Sequence, residues 1–136
     1  MSQSRTNNVI MTNTQYVANT AQTVTAQRQI TRRAVAGGST ITLSATDYLI
    51  DCATSGGAIV LTLPVISGGV PSTSSTTSQL VYRIVDSSGS AGTNNITINA
   101  GSGDTIQNTN SVLMNQNNMA LTITNNGQAN GNWFII

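Results

Sequence analysis

At 136 residues the chain is sized for one domain, and only 7% of it is charged, against about 25% in an ordinary soluble protein. The charged set is five arginines and four aspartates, with no Lys, Glu or His, for a formal net charge of +1. Without histidine there is no Ser-His-Asp or Cys-His set and no His-based metal site, and the single Cys52 allows neither an internal disulfide nor a thiolate cluster.

Residues 1–33 read as an extended arm. Their apolar residues are sparse and keep neither a helical nor a strand period, so the segment needs outside contacts to become ordered. No apolar run approaches the ~20 residues of a membrane span, and the polar N-terminus does not read as a secretory signal. Three arginines close the arm: Arg28, Arg32 and Arg33. They are candidate attachment residues for an acidic partner surface. The competing reading is a solvated edge strand, where charge discourages stray pairing. Three arginines fall short of a nucleic-acid-binding stripe, so no specific nucleic-acid partner is expected.

Residues 34–136 read as a β-domain. Gly37-Gly38 precedes a short strand over Ser39–Ser44, with Ile41 and Leu43 on one face. The stretch from Thr46 to Pro64 then reads as two strands joined by a tight hairpin at Ser55-Gly56-Gly57, since paired glycines tolerate the positive φ of such a turn. Tyr48, Ile50 and Cys52 share one face of the first strand, and Ile59, Leu61 and Leu63 one face of the second. Cys52 is expected to be a small buried apolar residue. Ile66 to Ser78 reads as an exposed loop. A strand over Gln79–Val85 is apolar on both faces and should be central. Asp86 to Gly89 is a turn, with Asp at its first position and Gly at its last. Strands follow over Asn95–Asn99, around Thr105–Gln107, at Val112–Met114 and over Met119–Thr124. Asn126-Gly127 marks a hairpin loop. The apolar end Trp133, Phe134, Ile135 and Ile136 should close the core or an intersubunit contact. Turn signals every 8–12 residues with no helical window between them give an all-β fold: one β-sandwich or jelly-roll-like domain of seven to nine strands, with the N-terminal arm outside it.

Several of these strings together resemble a small β-module of phage and large DNA virus virion proteins. They are Thr46-Asp47-Tyr48, Thr54 to Ala58, Leu61 to Pro64, Tyr82 to Gly89, Thr93 to Ile98, Gly103 to Ile106 and the terminal Trp133. The likeness covers about residues 40–136. It implies a virion structural protein: a homotrimer located in the virion, acting as a capsid decoration, head-fibre or fibre-base piece. The arm would attach it to a major capsid or tail protein.

A neutral hydroxyl and amide exterior fits a subunit packed among others, because burying an unpaired charge costs several kcal/mol and a neutral group costs less. A rival reading is a carbohydrate-binding module of a tail fibre, stacking sugars on Trp133, Tyr48 and Tyr82. No cofactor is expected. Folding could bring Asp51 to Asp86, or Asp47 to Asp104, as an acid pair or a calcium site, but Asp beside Gly and Ser is far more often turn chemistry. No catalytic set is present, so no enzymatic activity is expected.

Overall fold

A computed structural model of the protein describes residues 30–68, 79–125 and 131–136. The fold is all-β, with two sheets closing over one core. Ten strands are present among the described residues: β1 (Arg32–Ala36), β2 (Thr40–Thr42), β3 (Leu49–Ala53), β4 (Ile59–Thr62), β5 (Val81–Asp86), β6 (Ile96–Asn99), β7 (Thr105–Ile106), β8 (Ser111–Met114), β9 (Ala120–Asn125) and β10 (Asn132–Ile135). The first sheet runs β1-β3-β5-β9-β10-β7 and the second β2-β4-β6-β8.

The order of strands departs from a jelly roll. From β1 to β6 the chain alternates between sheets, so β1, β3 and β5 stack parallel in one while β2, β4 and β6 stack parallel in the other. Each coil of chain lays one strand in each sheet before stepping to the next level. Parallel neighbours need a crossover, and here the crossover is a strand of the facing sheet. Antiparallel pairing enters late, with β8 against β6 and β9 between β5 and β10.

The expected hairpin at Ser55-Gly56-Gly57 is therefore a corner. β3 and β4 belong to different sheets, and a single-turn 3-10 helix over Thr54–Gly56 carries the chain between them. Gly57 does adopt a positive φ of 139°. The pair of glycines serves close stacking instead of strand return: a Cβ on Gly37 would lie 2.5 Å from the backbone of Gly56 and Gly57. The glycine corner of the first coil thus rests directly on that of the second.

Strand alternation builds the core as the residues require. Ile50, Cys52, Tyr82, Ile84, Ile123 and Trp133 from one sheet meet Ile59, Leu61, Ile96, Ile98 and Met114 from the other, all fully buried. Each such side chain contributes about 1.5–3 kcal/mol over its exposed state. β5 is central, as its two apolar faces suggest. Ile66, expected in an exposed loop, is a core residue, while residues 69–78 of that loop lie outside the described residues. At the other end, Arg32 and Arg33 fall inside β1 instead of an arm; Arg28 and the rest of residues 1–29 lie outside the described residues.

Candidate assembly surfaces

Three of the four carboxylates hold corners. Asp86, at the end of β5, is 4% exposed and accepts four hydrogen bonds. Thr54 Oγ1 donates at 2.5 Å, and the backbone N–H groups of Gly89, Ala91 and Asn118 donate at 3.0 Å each. Three separate pieces of chain converge on one side chain: the β3–β4 corner, the β5–β6 corner and the β8–β9 connection. Burial pushes the Asp86 carboxyl up, but the donors from Thr54, Ala91, Asn118 and Gly89 outweigh it and hold the group at about 2. Thr54 is itself fully buried. Its hydroxyl also accepts from Ser90 N–H, and its carbonyl accepts from Asn94 Nδ2.

Asp104 accepts from Ile66 N–H at 2.7 Å and Ser67 N–H at 3.1 Å, pinning the segment after β4 to the corner before β7. Asp47 accepts from Ser44 N–H at 2.9 Å and from the Arg33 guanidinium at 2.8 Å. Asp51 faces outward on β3 and pairs with Arg32 across the β1–β3 ladder. A hydrogen bond from Ser87 lowers the Asp51 carboxyl, burial opposes it, and Arg32 lowers it further.

The carboxylate pairs considered from sequence do not form. Asp51 stands opposite Val85 and Asp86 opposite Cys52, so the two acids point to opposite faces of the sheet. Asp47 and Asp104 each serve a different corner. Among the described residues no group of three or more His, Cys, Asp or Glu is placed to hold a metal ion. Cys52 is fully buried, and burial, with the charges of Asp51 and Asp86 adding, pushes its thiol up to about 12. A thiol so far from ionisation is no nucleophile at neutral pH.

The proposed attachment and closure residues separate into distinct roles. Arg32 is exposed and Arg33 half-exposed, and each is paired to an aspartate of its own chain. Trp133 is fully buried, its ring centroid 5.8 Å from that of Tyr82, so it closes the core. Ile135 packs against the same core, while Phe134 is half-buried on the opposite face of β10. Ile136 is 73% exposed and takes no part in closing the core. Of the three aromatics weighed for sugar stacking, Trp133 and Tyr82 present no face to solvent, and Tyr48 is only partly exposed.

No protein-family model matches this chain, and no curated protein matches it. Its surfaces must be read on their own terms. Along the outside of the second sheet, Thr42, Thr62, Asn99 and Ser111 stand in one cross-strand row. Beside them run Thr40, Val60, Thr97 and Leu113. Neither row carries a charge, so this face could be covered without stripping water from an ion.

Sequence reading missed two residues of the corner network, Thr54 and Asn118. Asn118 adopts a positive φ of 62°, a conformation Asn tolerates better than most residues. An Asn-rich turn before an alternating strand was the available signal, but nothing local ties it to Asp86, 32 residues earlier.

Proposed function

We propose that this chain is a virion structural protein. It forms homotrimers and serves as a capsid decoration, head-fibre or fibre-base piece, anchored through its N-terminal segment to a major capsid or tail protein. The observation that carries this reading is the use of the acidic residues: every carboxylate is engaged in holding corners or pairing β1 to its neighbours. The ionisable chemistry serves the fold, and the exterior it supports is largely hydroxyl and amide. The resemblance of residues 40–136 to virion β-modules points the same way.

Two measurements test this. Light scattering of the purified full chain is expected to give a trimer, and mass spectrometry of purified virus particles is expected to find the chain in many copies. A stable monomer that is absent from particles would retire the proposal.

A further inference from the structure

Toward the β10–β7 end of the first sheet, two buried hydrogen-bond donors have no acceptor among the described residues: Asn125 Nδ2 and Trp133 Nε1. They are close neighbours. Asn125 on β9 stands directly opposite Trp133 on β10, so the two side chains share a face, with Cβ atoms about 4.5–5.5 Å apart. That face is the core. Both residues are fully buried, and their row continues through Ile106 on β7, also fully buried. Asparagine is seldom buried in such a row unless its amide is bonded.

One side of that amide is accounted for. Asn125 Oδ1 accepts from Leu80 N–H at 2.8 Å, which ties down the chain just before β5. This bond also settles which way the amide points: turned over, it would set its NH2 group against the Leu80 N–H. The amide nitrogen is therefore one donor in search of an acceptor, and the Trp133 indole N–H across the ladder is a second. An unmet donor in the core costs stability, and most buried donors are met by protein or by ordered water.

We propose that one ordered water, buried on the core side of the β9–β10 ladder, accepts from both Asn125 Nδ2 and Trp133 Nε1. Water has two lone pairs for the two donors. Its own hydrogens can go to backbone carbonyls, which keep a second lone pair when bonded in a ladder. An anion would accept equally well, but a buried anion needs an opposite charge to offset its loss of hydration. The three arginines among the described residues are held elsewhere: Arg32 by Asp51, Arg33 by Asp47 and Arg83 by Thr122. The water lets β10 close on β9 without stranding either nitrogen, and it makes Asn125 the residue that links Leu80 to Trp133. The inference rests on these two side chains and not on the virion reading.

NMR of the isotope-labelled full chain tests it. Trp133 is the only tryptophan, so its indole signal is unambiguous. In water-selective spectra, Trp133 Hε1 and the Asn125 Hδ2 hydrogens are both expected to show cross-peaks to water. Those peaks should have opposite signs in NOE and ROE modes, as a long-lived bound water gives and hydrogen exchange does not. Tyr82→Phe removes the hydroxyl of the ring beside Trp133, and both cross-peaks should survive it. A crystal of the full chain grown with bromide is expected to show a water oxygen about 2.7–3.2 Å from each nitrogen. Cross-peaks missing at either residue, or lost in Tyr82→Phe, overturn the proposal. So does anomalous scattering from bromide at the site, which would make the guest an anion, or a carbonyl of the chain found as the acceptor.

Discussion

The corner around Asp86 and the β1 and β2 ends of the two sheets, outermost among the described residues, both have to keep parallel strands of successive coils in line, and they do so by different means. At the corner, one buried carboxylate gathers a side-chain hydroxyl and three backbone N–H groups from three distant pieces of chain. At β1, two ion pairs add to the backbone ladder, the buried Val35 and the close fit of Gly37, and one of the pairs has its arginine side chain 57% exposed. A buried charge satisfied by four donors is costly to disturb, because removing it strands every donor at once. An exposed pair is screened by water and is easily replaced. The comparison teaches that the fold ties distant pieces of chain together at Asp86 through a buried charge, and adds to the β1–β3 ladder charges that solvent partly reaches.

The largest break in that comparison is Asp86→Asn. The amide keeps the shape but turns one acceptor oxygen into a donor facing N–H groups. A loss of about 3–4 kcal/mol is expected, read as a lowered urea midpoint with little change in slope. Asp51→Asn, the same change on the edge-facing side, should cost under about 1 kcal/mol. Equal losses at the two sites would erase the distinction between corner and edge.

Acid sharpens it next. The Asp86 carboxyl sits at about 2 in the folded chain, below its ordinary 3.8. A depressed folded value contributes stability above the unfolded value, and that contribution is lost as pH falls from about 4 through about 2. Roughly 2 kcal/mol should disappear over that window in wild type. The Asp86→Asn protein should lack the part of this acid dependence that Asp86 supplies, while the part from the lowered Asp51 stays. Unfolding midpoints measured from pH 6 down to pH 2 would show the difference.

Much of the core was legible in sequence because alternation is a local property. Ile59, Leu61 and Leu63, or Leu80, Tyr82 and Ile84, point the same way whichever strand lies beside them, and all are buried. Pairing is not local. The inward face of β3 and β4 looks the same whether the chain doubles back as a hairpin or crosses to the facing sheet. What decides for the corner is the fit of Gly37 on Gly56 and Gly57 and the bond from Thr54 to Asp86, contacts spanning 19 and 32 residues respectively. Asp86 was readable as a turn residue through Gly89, three positions away, but its role as a junction depends on partners far along the chain. Arg32 and Arg33 were readable as an edge strand or an attachment patch, and they lie in β1, the outermost strand of the first sheet among the described residues.

The smallest effects lie at that edge, and they separate its two ion pairs from each other. Asp47 is mostly buried and also caps Ser44 N–H, and its partner Arg33 is only partly exposed. Arg33→Ala should therefore cost about 1 kcal/mol, and Arg32→Ala under about 0.5 kcal/mol. High salt should remove most of the Arg32 effect and less of the Arg33 effect, because a sheltered pair is screened less. A double-mutant cycle of Arg33 with Asp47 should show coupling that the cycle of Arg32 with Asp51 barely shows. If instead both arginines serve chiefly to grip an acidic partner surface, neither cycle should show coupling. Their joint replacement would then leave the urea midpoint of the free protein unchanged while weakening its hold on the particle.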